Sequence, residues 1–456
     1  MKPLSIVILA AGLGSRMKSE LPKPLHKIGG KPMLEHVLQS ARTLNPTKLV
    51  VVFGHRGEAL KEAFSDADDI TWAEQKTFEG TGDAMRYALP YCVPESNVLV
   101  LYGDTPLINP NTLTELVGKL ESTDLAWLTA TMENPFGYGR IIRDHNDHMI
   151  SIIEEKDANA TEKAICEINT GIFATTFTFL YNALPKLTNQ NQQNEYYLTD
   201  IAGIAVDESI NIETISEDPE RIRGVNDRIQ LAELEAYYQR EKAKELMRNG
   251  ITLDKPETLT IKGTVQNGFD CHIEANVVLE GHIVLGKNVH IGTGCVLTDV
   301  VIGDNTEIKP YTVMIGASVG KNASVGPFAR IREKSQFMDE TRIGNFVETK
   351  NTHLGHGSKA SHLTYLGDAE IGEHVNVGAG VITCNYDGVN KFKTTINNGA
   401  FIGSNSSLVA PVSIGVDATV AAGTVVAKDV ADHALALNKI EAKRISDWER
   451  PAKKKS

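Results

Sequence analysis

From about Leu285 to the end of the chain, a small aliphatic residue followed by glycine or alanine returns at six-residue intervals. The most regular stretch places Ile396, Ile402, Leu408, Ile414, Val420 and Val426 six apart. An earlier stretch pairs the aliphatic residue with glycine: Leu285-Gly286, Ile291-Gly292, Ile302-Gly303, Val319-Gly320, Val325-Gly326 and Ile343-Gly344. It continues through Leu354-Gly355, Leu366-Gly367, Ile371-Gly372 and Val377-Gly378. A helical face repeats about every 3.6 residues and a strand face every two or so, and neither accommodates this period. A parallel β-helix does, because coils of about eighteen residues stack and their aliphatic side chains fill the axis. One coil cannot bury its apolar surface alone, and flat outer faces favour packing against copies of the same chain, so a symmetric oligomer is expected.

The period does not extend to the N-terminal half. There, bare apolar runs (Ile6–Leu9, Leu49–Phe53, Val98–Leu101) alternate with helical patterns such as Met33–Arg42 and Thr81–Leu89. Such runs suit strands covered on both faces, and the alternation predicts a doubly wound, Rossmann-like α/β domain over residues 1–228. A Glu-, Lys-, Leu- and Ala-rich stretch follows, in which Leu231, Leu234, Tyr238 and Leu246 can share a helical face. Asn226 or Asp227 can cap its start and Asn249-Gly250 can end it, which predicts a linking helix over 229–249. The β-helix domain is expected over 250–456, with hexapeptide texture from about Ile273. The segment from Cys384 to Thr395 breaks the period and is predicted to be a loop ejected from a coil.

With 456 residues, two domains are the default. A net charge of −12 excludes a broad nucleic-acid footprint, and the only basic run is the tail Lys453 to Lys455. The five cysteines are widely spaced and include no Cys-x-x-Cys pair, which points to a reducing compartment and to no zinc site. The apolar stretch Leu4 to Ala11 is too short to span a membrane, so it reads as a first buried strand of a cytoplasmic protein.

After that strand the chain reads Leu9-Ala10-Ala11-Gly12-Leu13-Gly14-Ser15-Arg16-Met17, then Leu21-Pro22-Lys23-Pro24. A glycine-rich turn lets backbone N–H groups approach phosphate oxygens, and Arg16 and Lys23 add positive charge where a triphosphate would sit. Val98–Leu101 runs into Tyr102-Gly103-Asp104, where a carboxylate beyond a strand's C-terminal end can hold Mg2+.

Together with Gly137-Tyr138-Gly139-Arg140 and Glu167-Ile168-Asn169-Thr170-Gly171, these motifs resemble those of sugar-phosphate nucleotidylyltransferases. With the hexapeptide repeats added, nearly the whole chain resembles the bacterial bifunctional N-acetylglucosamine-1-phosphate uridylyltransferase/glucosamine-1-phosphate N-acetyltransferase family. The resemblance implies a left-handed hand for the β-helix and a homotrimer. It implies that Leu9, Ala10, Ala11, Gly12 and Lys23 contact the nucleotide, and that Gln75, Gly80 and Thr81 read uracil. Tyr102, with Gly103 beside it, and Gly139, Glu154 and Asn169 would hold N-acetylglucosamine and ribose. Asp104 and Asn226 would be the Mg2+ ligands. A sugar-1-phosphate oxygen is already ionised at neutral pH, so its attack on UTP needs charge neutralisation and alignment and no general base.

The second constellation comprises Lys350, the run from Lys359 through His362 and Tyr365 to Asp368, Asn376, and Asn385-Tyr386-Asp387-Gly388. Acetyl transfer to an amine must remove a proton, and an imidazole, titrating near about pH 6.5, suits that task. In the family His362 would be this base, acting between glucosamine-1-phosphate and acetyl-CoA. Arg332, Lys350, Tyr365, Asn376 and Lys391 would bind the sugar phosphate, and Asn385 and Tyr386 would orient the sugar and the base. The CoA groove would be bordered by Asn385 and Tyr386 and lined by Ala379, Ser404, Ala422 and Lys439, between subunits of the trimer. Family members carry arginine at the last place, and lysine keeps its charge without the bidentate fork. Two other readings are a nucleotidylyltransferase with a purely regulatory β-helix and a non-enzymatic scaffold. The His362, Tyr365 and Asn376 set opposes the first, and intact Gly12, Gly14, Lys23 and Asp104 oppose the second.

Overall fold

The computed structural model describes residues 2–12, 14–54, 57–438 and 442–451. The chain divides into two compact units, Met1–Arg240 and Glu241–Ser456, with the division inside the helix Arg228–Arg248.

The first unit is built on a nine-stranded sheet among the described residues. Its main path runs Ile212–Ser216, Leu125–Thr131, Glu167–Thr176, Asn97–Tyr102, Leu4–Leu9, Lys48–Phe53, Ile70–Glu74. Apolar residues fill both faces of the central strands: Ile6, Val7 and Ile8 are fully buried, and odd and even positions feed separate cores. Most neighbours are parallel, as two-sided burial predicts. On that path Glu167–Thr176 is the exception and runs antiparallel to both of its neighbours; off the path, Arg140–Arg143 pairs antiparallel with it and with Met149–Ile153. The helix Met33–Arg42 covers the sheet with its Leu34, Val37, Leu38 and Ala41 face.

The cap of the helix Arg228–Arg248 is settled in favour of Asp227. Its Oδ1 accepts the N–H groups of Ile229 and Gln230, both at 2.9 Å. The Asn226 side chain is thereby left to another task. Leu234 is buried with Met17, Ile28, Met33 and Val225, while Leu231 and Tyr238 pack against that cluster. Leu246 belongs to the core of the second unit.

The second unit is a parallel β-helix that starts at Ile251–Leu253, earlier than the hexapeptide texture indicates. Early coils such as Thr260–Asn267 carry the pairing without a clean aliphatic-glycine signature. Ile396, Ile402, Leu408, Ile414, Val420 and Val426 all point into the axial core. A non-glycine or glycine residue of positive φ marks one corner of successive coils: Tyr311, Phe328, Phe346, Leu363 and Gly380. Tyr311, Phe328 and Phe346 stack there at centroid spacings of 5.2 and 5.6 Å. Residues between Ile382–Cys384 and Thr394–Ile396 leave the coil as predicted, closed by an antiparallel bridge between Tyr386 and Lys391. Among the described residues no helix is long and apolar enough to cross a membrane.

Candidate active sites

Leu9 and Tyr102 end adjacent parallel strands in register, so the glycine-rich loop and the Tyr102-Gly103-Asp104 turn emerge side by side. They open onto a cleft of about 550 Å3. Its wall includes Leu9, Ala10, Ala11, Gly12, Arg16 and Lys23 from the first loop. Gln75, Gly80, Thr81, Tyr102, Asp104 and Asn226 complete the predicted part. Gly14 has φ +60°, and a Cβ there would lie 2.9 Å from Lys23 Cβ, so only glycine lets the lysine stem pass.

Four side chains meet at one end. Lys23 Nζ donates to the Asp104 carboxylate and, at 3.2 Å, to Asn226 Oδ1. Arg16 Nη2 donates to the same amide oxygen at 3.0 Å. The Val225 N–H donates to the Asp104 carbonyl at 3.1 Å, which ties the segment before the helix to the strand-end turn. Asp104 and Asn226 thus present two oxygens beside two cations, a donor set suited to a hard divalent ion together with phosphate oxygens. Among the described residues no group of three or more His, Cys, Asp or Glu could hold a metal.

Gly103, Gly139, Glu154 and Asn169 do not line this wall: Gly103 packs against Ala10 and Leu34, while Gly139, half-buried Glu154 and buried Asn169 form a polar group behind Tyr102. The Tyr102 ring packs on Gly171, where φ is +77° and a Cβ would stand 2.6 Å from the ring. Asn169 Oδ1 accepts from Trp127 Nε1 at 2.8 Å and from the Gly171 N–H at 2.7 Å. Its amide nitrogen therefore remains the end that can donate to a ligand. The Asn169 N–H donates to the Gly139 carbonyl at 2.8 Å, and a Cβ on Gly139 would meet Glu154 Oε2 at 3.2 Å. Glu154 accepts the Thr199 hydroxyl at 3.1 Å. Burial pushes the Glu154 carboxyl up, and the charges of Asp200 and Asp157 add to that. Burial also raises the Tyr102 phenol, reinforced by Glu154 and Asp104.

The structure adds residues that no sequence motif marked. Phe78, Gln193 and Glu195 also line the cleft. The segment carrying the latter two is polar and featureless in sequence, and is placed by backbone bonds from Tyr196 N–H to the Glu79 carbonyl (2.7 Å) and from Gly82 N–H to the Tyr196 carbonyl (2.8 Å). Asp83 accepts from Gln75 Nε2 at 2.8 Å.

In the second unit, register brings distant residues into one column. Asn345 pairs with His362, and the ladders of Ala360 with Val377, Val377 with Ile402, and Ile402 with Val420 follow. Two residues further along each coil stand His362, Ala379, Ser404 and Ala422. Successive members are tied by backbone bonds: Gly380 N–H to His362 (3.4 Å), Asn405 N–H to Ala379 (2.8 Å), Gly423 N–H to Ser404 (2.8 Å). The column after His362 is thus a strip of small side chains beside the corner. His362 is exposed, and its Nδ1 hydrogen-bonds Asn345 Oδ1 at 2.8 Å. Lys439 lies outside the described residues.

Of the remaining predicted groups, Lys350 and Tyr365 stand on the adjoining sheet, whereas Asn376 shares the sheet of His362. Glu348 is in register with Tyr365, and Lys350 with Gly367. Arg332 Nη1 bonds Glu348 Oε1 at 3.1 Å. Asp368 accepts from Asn351 Nδ2 at 2.6 Å and from Asn385 Nδ2 at 2.5 Å, which anchors the root of the ejected loop. Tyr365 and Asn385 converge over Gly367, where a Cβ would strike the tyrosine hydroxyl. Lys391 and Asp368 line a groove of about 520 Å3. Tyr386 is exposed on the loop, its hydroxyl donating to the Gly388 carbonyl at 2.5 Å. Asn376 is in register with Lys359, three positions before His362 along the coil face.

Comparison with known proteins agrees with this division. Residues 6–164 match the MobA-like NTP transferase domain, 261–385 the GMPPB C-terminal domain, and 393–428 the hexapeptide repeat of succinyl-transferase. The bifunctional protein GlmU of Idiomarina loihiensis is 49% identical over 453 residues, covering 99% of this chain and 99% of its own. That of Alcanivorax borkumensis is 50% identical over 451 residues, with 99% of each chain covered. That of Marinobacter nauticus is 48% identical, covering 99% of this chain and 100% of its own. With likeness of that depth over both units, the chain belongs to the bifunctional GlmU family and is an enzyme that joins a nucleotidyltransferase half to a hexapeptide-repeat acetyltransferase half.

Proposed function

We propose that the chain acetylates glucosamine-1-phosphate with acetyl-CoA in its second unit. Its first unit then transfers UMP from UTP to the resulting N-acetylglucosamine-1-phosphate, giving UDP-N-acetylglucosamine and pyrophosphate. The observation that carries this reading is that each half of one chain holds its own assembled polar centre, Lys23 with Asp104, Asn226 and Arg16 in one and His362 with Asn345 in the other.

In the first unit the sugar-phosphate oxygen attacks the α-phosphorus of UTP. That O–P bond forms as the bond to the β-phosphate oxygen breaks, and pyrophosphate leaves with the electron pair. Lys23 and Arg16 offset the negative charge of the approaching anions, and the loop from Leu9 to Gly12 aligns the nucleotide. Asp104 and Asn226 would hold Mg2+, whose role when bound is to neutralise phosphate charge. Gln75, Gly80 and Thr81 meet the uracil; Gly139, Glu154 and Asn169 with Tyr102 meet the sugars.

In the second unit the amine nitrogen of glucosamine-1-phosphate attacks the thioester carbon of acetyl-CoA. With Nδ1 committed to Asn345, His362 takes the amine proton on Nε2, and the C–S bond breaks to release CoA thiolate. Arg332, Lys350, Tyr365, Asn376 and Lys391 hold the sugar phosphate, with Asn385 and Tyr386 orienting the acceptor. The small-residue strip of Ala379, Ser404 and Ala422 receives CoA. A homotrimer completes the groove from neighbouring subunits, and the enzyme works in the cytoplasm, where its nucleotide and thioester substrates are found.

The test is direct. Purified protein supplied with glucosamine-1-phosphate, acetyl-CoA, UTP and Mg2+ should produce UDP-N-acetylglucosamine. Omitting acetyl-CoA should abolish free thiol, and omitting UTP should leave N-acetylglucosamine-1-phosphate to accumulate. A folded protein yielding no nucleotide sugar would overturn the reading.

A further inference from the structure

Gln75 and Asp83 form a buried polar pair, 5% and 6% exposed, and Gln75 lines the first cleft. Gln75 Nε2 donates to Asp83 Oδ2 at 2.8 Å and to the Gly80 carbonyl at 3.3 Å. A carboxylate and a carbonyl only accept, so both must be met by the NH2 end of the amide. Its two N–H groups are then fully used. The Gln75 oxygen is the polar end left for a ligand, since this residue lines the cleft.

Asp83 is itself held in place. The Thr77 hydroxyl donates to the same carboxylate oxygen at 3.0 Å. Asp83 also lies in the first turn of the helix Thr81–Ala88, where unpaired N–H groups favour negative charge. Rotating the Gln75 amide would turn its oxygen toward two acceptors and leave buried groups unpaired, which is costly.

We propose that Asp83 is a specificity-determining positioning residue: by fixing the Gln75 amide with its oxygen toward the cleft, it selects a pyrimidine carrying an N3–H imide over cytosine. Uracil presents N3–H between two carbonyls, and that N–H is bonded by an amide oxygen. Cytosine presents a lone pair at N3, which would face the Gln75 oxygen with no proton between them. A site built around one hydrogen-bonding pattern rejects the analogue that lacks it, because its own buried groups go unsatisfied. The proposal rests on the reading that Gln75 meets the base.

The test compares full-length parental protein with D83N, D83A and Q75A. Pyrophosphate release is measured with N-acetylglucosamine-1-phosphate and either UTP or CTP. The amide introduced by D83N can donate as well as accept, so the Gln75 amide gains its second orientation. The UTP-over-CTP ratio of kcat/KM should fall about tenfold or more in D83N and D83A. The fall should come from a higher KM for UTP and a lower KM for CTP. D83N keeps the shape of the side chain, so it remains informative where D83A melts early. Parental ratios in D83N and D83A alongside a collapsed ratio in Q75A would overturn the role of Asp83 and leave the base-reading role of Gln75 standing. A parental ratio in Q75A as well would overturn both.

Discussion

His362 and Asn345 stand side by side on neighbouring coils, and the imidazole Nδ1 bonds the amide oxygen at 2.8 Å. An amide oxygen only accepts, so Nδ1 carries the hydrogen, and in the neutral ring Nε2 is the nitrogen with the lone pair. Parallel register produces this contact; 17 positions separate the two residues in sequence.

Removing that partner should therefore disturb proton transfer more than binding. Asn345→Ala is expected to lower kcat for thiol release about tenfold, or about 1.4 kcal/mol, with KM near parental. Asn345→Asp should recover part of the rate and move the acidic limb of the pH–rate profile to higher pH, because a carboxylate stabilises the imidazolium. Thiol release that is parental in both variants at every pH would rule the contact out of catalysis.

Asp104 lies beside Lys23, and both share Asn226. Asp104→Ala should abolish pyrophosphate release and leave thiol release from acetyl-CoA intact, since the second centre is built from other residues. Chelating divalent ions should reproduce that split. Pyrophosphate release persisting in the variant would reject Asp104 as a metal ligand.

Asp200 is pushed up to about 6 from 3.8, first by burial and then by the charge of Asp157. The native chain therefore holds this proton where the unfolded chain has lost it. Across that interval the native state binds more protons, so this group's contribution to stability falls as pH rises and is level above it. Asp200→Asn should flatten the stability profile between about pH 4 and 6 and raise stability above that window. Urea unfolding followed across the interval reads it out; a variant with the parental slope would show that the carboxyl is not responsible.

The axial core offers a paired comparison. Ile402 is fully buried, and Ile402→Ala should cost about 2–5 kcal/mol, because the stacked coils cannot collapse into the void. Val425, 55% exposed on the outside of the same solenoid, should cost no more than about 0.5 kcal/mol on the same truncation. Similar losses at the two positions would contradict the inward and outward assignment.

The solenoid was legible because a stacked coil repeats its environment. Each aliphatic residue from Ile396 to Val426 meets the same neighbours one coil on, so the period survives in sequence. The coils from Ile251 to Ile273 were less visible, since Ile251, Ile261 and Ile273 fill the same core without the glycine that follows the aliphatic residue in later coils. The strands of the first unit were legible from two-sided burial. The antiparallel course of Glu167–Thr176 was not, because burial does not encode direction. The glycine loop, Lys23 and Asp104 carried their own chemistry in short motifs.

Local sequence left the role of Asn226 open between helix cap and cleft ligand. Asp227 takes the two first-turn N–H groups, which removes the cap as an option and leaves Asn226 on the cleft wall. What the linear chain determined by itself was which residues must be inside and which chemical types lie at the ends of strands, because these depend on period and on neighbours a few positions away. Only the tertiary structure decided that Arg16 meets Asn226 across 210 positions, that Asn345 holds His362, and that Asp83 holds Gln75. Each is a hydrogen bond whose direction depends on where folding delivers its two ends, and no spacing rule in the sequence carries that information.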